Sequence, residues 1–226
     1  MILSKLKPLQ HLSNRFYRRV LDVSASAVAR QDTTLWTPAP LVKISLAAES
    51  LFHITFDVSE SPELANSYTK AGQYVHVRLQ DPYARPTSLA ISSPPSVAAS
   101  SGIFEFLVKS IPGSTAELLC RLQKGDVVGL SAVMGKGFEI DRISPPDIYQ
   151  TVLIFATGAG ISPIRERFKD WKSSGVNIVP VLSQPDDNWK GEQGFVQAAF
   201  ARAKRISSPQ STGAVLCGHR QMAEVS

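Results

Sequence analysis

Between residues 41 and 133 apolar and polar positions alternate in short runs; after residue 150 the apolar runs become continuous. Alternation marks strands with one face in a core, whereas uninterrupted apolar runs mark strands buried on both faces. In the first region LVKISLAA (41–48) and LFHITFDV (51–58) predict a hairpin. GQYVHVRLQ (72–80), SLAISS (88–93), GIFEFLVKS (102–110) and DVVGLSAV (126–133) predict four further strands, and residues 114–122 predict one helix. Pro, Gly and Asp separate these runs at close spacing, which is the pattern of a small antiparallel barrel.

The second region opens on TVLIFATGAGISPIR (151–165). Val152 to Ala156 form an uncharged strand, Gly158-Ala159-Gly160 a turn, and Ser162-Pro163 a helix start. A serine hydroxyl there can cap a free N–H, and proline fits the first helical position. Strand, glycine turn and helix N-terminus together offer a phosphate both backbone N–H groups and the positive end of a helix dipole. A helix to about residue 172, a strand at 176–184, a helix at 194–205 and a strand at 213–218 follow. Alternating strands and helices imply a parallel sheet wound with helices. The fold class expected is therefore a two-domain chain, with an antiparallel β-barrel at 37–145 followed by a truncated α/β parallel-sheet domain at 148–226.

Charge and composition narrow the function. The chain has 226 residues and a net charge of +5, but the first 35 residues hold six of the 24 basic and two of the 19 acidic residues. The remaining 18 basic and 17 acidic residues leave a nearly neutral body, so nothing marks a nucleic-acid footprint. No stretch approaches the roughly 18 apolar residues of a transmembrane helix. Cys120 and Cys217 are too few for a disulfide framework and suit a reducing compartment. Residues 1–36 are basic and hydroxyl-rich, and Leu3, Leu6, Leu9, Leu12, Phe16 and Val20 trace a rough helical stripe. That segment reads as an amphipathic organelle-targeting peptide or as a disordered basic tail. His53 and His76 lie within strands and read as structural histidines, while Tyr74 could face the core or a ligand.

The glycine turn with its Ile161-Ser162-Pro163 continuation resembles the G-x-G-[IV]-[ST]-P turn of the ferredoxin–NADP reductase superfamily. The first region is similar to that family's flavin domain in the order of its landmarks. GQYVHV is followed by Arg85-Pro86-Thr87-Ser88, Ser92-Ser93-Pro94, Pro112-Gly113-Ser114-Thr115, Lys124-Gly125-Asp126 and Gly135-Lys136-Gly137-Phe138. Cys217-Gly218, with Met222 after three intervening residues, is similar to the family's C-G-x-x-x-M.

This resemblance implies FAD and NAD(P) as cofactors. Arg85, Thr87, Ser88, Gly113, Ser114 and Thr115 are the implied flavin contacts: an arginine fork and helix-start N–H groups suit a pyrophosphate. Gly158, Gly160, Ile161, Ser162, Pro163 and Gly218 are the implied nucleotide contacts, with Cys217 beside the nicotinamide. Taken without the family, Cys217 reads equally as a half-buried structural cysteine. Thr87 stands where the family has the tyrosine that packs on the isoalloxazine ring. The family's second strand, which handles the ribose, has no counterpart between Arg165 and Val176, and its C-terminal segment is also missing. Loss of an interior strand leaves unpaired backbone groups unless residues 151–156 and 176–184 pair directly.

The function implied is electron transfer from NAD(P)H through flavin to an unidentified acceptor, in a chloroplast or, alternatively, a mitochondrion. Two other readings stand beside it: a non-catalytic truncated form that at most binds flavin, and an interaction scaffold.

Overall fold

The computed structural model describes residues 35–139, 142, 148–165, 177–203, 206 and 208–218; the leader and its apolar stripe lie outside them. Six strands fill the first part: β1 (Thr37–Ala48), β2 (Leu51–Asp57), β3 (Tyr74–Arg78), β4 (Thr87–Ala90), β5 (Ile103–Lys109) and β6 (Val127–Leu130). They form one antiparallel sheet in the order β4-β3-β6-β1-β2-β5. β1 serves two partners, pairing with β6 through residues 37–40 and with β2 through residues 41–48. An irregularity between Leu41 and Lys43 bends the strand where it changes partner.

The sheet curls into the antiparallel barrel expected from the strand pattern, barrel-like without full closure. β4 stops at Ala90, and Pro94 and Pro95 follow soon after, so the chain there lacks the donors a closing ladder needs. Two hydrogen bonds staple the seam instead. Ser92 N–H donates to the Glu105 carbonyl (2.8 Å), and Glu105 N–H donates to Ser93 Oγ (3.2 Å).

Inside the curl, alternate residues meet in one core. Phe56, Phe104 and Phe106 are fully buried; the 56–106 rings are tilted at 5.9 Å and the 104–106 rings edge-on at 6.5 Å. Each such ring taken out of water contributes about 1.5–3 kcal/mol. Tyr68 packs edge-on against Phe104 at 5.8 Å, and its buried hydroxyl donates to the Ser93 carbonyl (2.8 Å). Three short helices cover the sheet: α1 (Pro62–Ser67), α2 (Pro95–Ser101) and α3 (Thr115–Cys120). Only α3 was expected from the sequence pattern. The other two start on a proline, as short helices often do. α2 stops at Gly102 in the left-handed region, where a Cβ would strike Ser59.

The second part is built on β7 (Thr151–Ala156) and β10 (Thr212–Cys217), paired in parallel from Thr151 opposite Thr212 to Ala156 opposite Cys217. Between them come α4 (Ser162–Arg165), β8 (Val181–Leu182), β9 (Glu192–Gln193) and α5 (Val196–Ala203). Phe200 of α5 packs edge-on against Phe155 of β7 at 5.0 Å. Direct pairing of 151–156 with 176–184 is not what the described residues show. Within the latter stretch only Val181–Leu182 is a strand, and it pairs with β9. Pro180 removes a ladder donor just before it. No helix among the described residues is long and apolar enough to cross a membrane.

Candidate functional site

The site residues assemble in two groups. The first lies at the open edge of the six-stranded sheet, where β4 follows the Arg85 loop and α3 follows a glycine turn. Thr115 Oγ1 donates to the Arg85 carbonyl (2.8 Å), so two segments thirty residues apart are tied together. Ser114 caps α3 by accepting from Glu117 N–H (3.4 Å) and donates its hydroxyl to the Ile111 carbonyl (2.6 Å). Gly113 sits at φ +75°, with nothing within 4 Å of the place a Cβ would occupy. Its N–H donates to Glu117 Oε2 (2.7 Å), and the other carboxylate oxygen accepts from Arg121 (2.6 Å). An anion arriving at this turn therefore meets a carboxylate already seated on one of its donors. Arg85 is exposed, and its guanidinium makes no hydrogen bond or ion pair with another described residue.

Strand alternation fixes which side chains share a face. Val75 and Val77 are fully buried, so Tyr74 and His76 point the other way. Their cross-strand partners, Ala90 and Ser88, join them on that outer face. Thr87, opposite Val77, lies with Leu89 on the core side. Tyr74 is thus not a core residue. His53 is half-buried within β2.

Gln73 is a residue that sequence reasoning passed over. Its Oε1 accepts from Thr69 N–H (2.8 Å) and Lys70 N–H (2.9 Å), and its Nε2 donates to the Gly135 carbonyl (3.0 Å). It thereby joins the segment before β3 to the Gly135–Phe138 turn; the phenyl ring of Phe138 lies 3.1 Å from where a Gly72 Cβ would be. The signal available was a glutamine behind a glycine at a strand start.

The second group lies at the carboxyl ends of β7 and β10, where parallel sheets bind their ligands. Residues Gly158–Ile161 form a single 3₁₀ turn, and α4 begins at Ser162 with helical dihedrals. Ser162 is buried and sits inside the helical stretch, so the position before the helical run belongs to Thr157. Pro163 and Ile161 are half-buried beside it. The turn and the end of β10 interlock. Thr157 N–H donates to the Cys217 carbonyl (3.0 Å), and a Cβ on Gly160 would strike that carbonyl and the Cα of Gly218. Gly218, at φ +143°, in turn leaves no room for a side chain against Thr157. Burial raises the Cys217 thiol above its ordinary range, so it stays protonated and apolar near neutral pH. The same turn approaches β5 of the six-stranded sheet.

Three features of these residues suit a flavin and a nucleotide. Among the described residues Arg85 leaves its guanidinium uncommitted, Gly113 leaves open space where a Cβ would stand, and the hydroxyl of Ser92, just beyond β4, is buried without a partner.

Residues 164–226 match the profile of the oxidoreductase NAD-binding domain. The chain is 40% identical to fruit protein pKIWI502 of Actinidia deliciosa, over 96% of this chain and 81% of that one. That alignment is 257 residues long, 31 more than the whole chain, so the relative carries at least that many residues inside it that this chain lacks. A strand, a helix and their connections need about 25. The gamma subunit of sulfhydrogenase 1 from Pyrococcus furiosus is 27% identical over 77% of this chain and 66% of its own length. Among solved structures, a ferredoxin NADP+ reductase from Neisseria gonorrhoeae with bound FAD and NADP superposes with a TM-score of 0.61. It covers 84% of this chain and 87% of its own at 18% identity, a likeness of fold.

Proposed function

Because the chain belongs to the ferredoxin–NADP reductase superfamily, we propose that it is a flavin-dependent oxidoreductase that takes electrons from NAD(P)H and delivers them to a separate acceptor. The observation that carries this reading is the hydrogen bond from Thr115 to the Arg85 carbonyl, which gathers an arginine and a glycine turn at one edge. The interlocked G-A-G and C-G turns beside β5 support it further.

FAD, when bound, supplies the hydride-accepting and single-electron chemistry. The protein's own residues do the rest. Arg85 offers a fork to a pyrophosphate, and Ser114 and Thr115 hold the loop that presents it. Ser88, which shares the outer face of the sheet with His76, would offer a hydroxyl to the polar edge of the flavin. Gly158 and Gly160 let a dinucleotide approach the backbone, and Cys217 presents an uncharged sulfur where a nicotinamide would lie. No group here acts as a general acid or base in this reading.

A second reading, a protein that holds flavin but does not reduce it, is favoured by one observation. β7 pairs only with β10 among the described residues, and its Val152 and Ile154 are 42% and 40% exposed. Such residues are buried on both faces in a complete parallel sheet. The visible absorption spectrum of the purified protein, before and after anaerobic NADPH or NADH, separates the two. A flavin spectrum that bleaches is expected. A flavin spectrum that persists favours the second reading, and a colourless protein overturns both.

A further inference from the structure

The outer face of β3 and β4 carries an aromatic pair that the landmark motifs do not account for. Tyr74 and His76 stand side by side with ring centroids 6.1 Å apart and planes 24° from parallel. Across the ladder stand only Ala90 and Ser88, so a shelf bounded by rings on one strand has small side chains on the next. Tyr74 is held in place from both ends. Its N–H donates to the Met134 carbonyl (3.0 Å), its carbonyl accepts from Met134 N–H (2.8 Å), and Gly135 packs on the ring edge. A Cβ at Gly135 would lie 3.1 Å from the Tyr74 ring. Arg85 opens the same segment three residues before Ser88, about 10 Å along an extended chain. One surface thus offers a phosphate partner at one end and a ring partner at the other. Thr87, which occupies the motif's tyrosine position, cannot serve, because it is turned to the core side.

We infer that Tyr74, with His76 beside it, is the aromatic platform against which the isoalloxazine ring lies in this chain. The inference rests on the flavin reading above and adds to it the residue that holds the ring. It makes position 87 dispensable for stacking and explains how a chain without the motif's tyrosine keeps an aromatic contact. Offset stacking of this kind strengthens binding beyond the area it buries.

The test is a titration of the full chain with FAD, reading affinity and the fluorescence of the bound flavin in wild type, Tyr74→Phe and Tyr74→Leu. An adjacent phenol quenches an excited flavin by giving it an electron, which a phenyl ring does not do. Tyr74→Phe should therefore hold FAD as tightly as wild type yet fluoresce several-fold more brightly. Tyr74→Leu should also brighten, and should bind roughly three- to tenfold more weakly. The phenylalanine variant preserves the packing against Gly135, so it remains informative if the leucine variant fails to fold. Wild-type affinity and quenching in both variants would overturn the platform while leaving the flavin reading intact. A wild-type chain that takes up no FAD overturns both.

Discussion

Gly158 and Gly160 stand two residues apart in one turn for different physical reasons. Gly158 has φ +53° and open space where a side chain would go, so alanine there meets only the left-handed backbone penalty, about 1 kcal/mol. Gly160 is outside the left-handed region, but its Cβ would collide with backbone of Cys217 and Gly218. Backbone cannot swing aside as a side-chain tip can, so Gly160→Ala must push the G-A-G turn off β10, at about 1–3 kcal/mol. Thermal unfolding should show Gly160→Ala clearly less stable than Gly158→Ala. Anaerobic titration with NADPH or NADH should show that Gly160→Ala also loses its nucleotide response. Equal behaviour of the two variants would mean that the interlock of turn and strand end does not form.

At the scale of elements, α3 carries a conflict between folding and binding. Glu117 satisfies the Gly113 N–H and completes the helix start, yet puts a negative charge where a pyrophosphate would go. Replacing it by glutamine keeps a side-chain acceptor for that N–H and removes the charge. A charge at a helix N-terminus is worth about 0.3–1 kcal/mol. Glu117→Gln should therefore bind FAD roughly two- to fivefold more tightly, by the same figure converted to affinity, and melt slightly earlier. Weaker binding in that variant would place the pyrophosphate elsewhere. Glu117 was not singled out from the sequence, although a glutamate three residues after a capping serine is a known signature. The reason is that a reading by landmark assigns Gly113, Ser114 and Thr115 to the ligand and leaves no partner for the next acid. Strand positions were legible because Pro, Gly and Asp bound each apolar run of the first sheet, and burial alternates cleanly in β3 and β6. The seam was not, since closure turns on two hydrogen bonds from Ser92 and to Ser93 rather than on any periodic pattern. The facing of Tyr74 and Thr87 was hidden for a similar reason. A side chain's face depends on register, and register needs the partner strand.

The whole molecule is stabilised unevenly. Every member of the large buried cluster lies between Ala39 and Leu130, in the six-stranded sheet and its helices. Beyond residue 150 the buried hydrophobic side chains among the described residues are Ile164 and Ala199. A two-stranded parallel sheet is a marginal structure without packing on both faces, and β7 leaves Val152 and Ile154 half open. Native-state hydrogen exchange should therefore show two tiers. Amides of β2 and β5 should exchange only through global unfolding, while those of β7 and β10 should open by a local route, roughly a hundredfold faster. Equal protection in both pairs would mean that the short sheet borrows the stability of the first through a cooperative interface. The lower tier also makes the second part sensitive to its ligand. A nucleotide present at a hundred times its dissociation constant adds about 2.7 kcal/mol to the state that binds it, enough to bring β7 and β10 up to the upper tier. Slowing confined to those two strands on adding NADPH or NADH would locate the nucleotide at their carboxyl ends without any measurement of turnover. If no amide slows, the shortened sheet does not close a nucleotide site, and electrons must reach the flavin by another route.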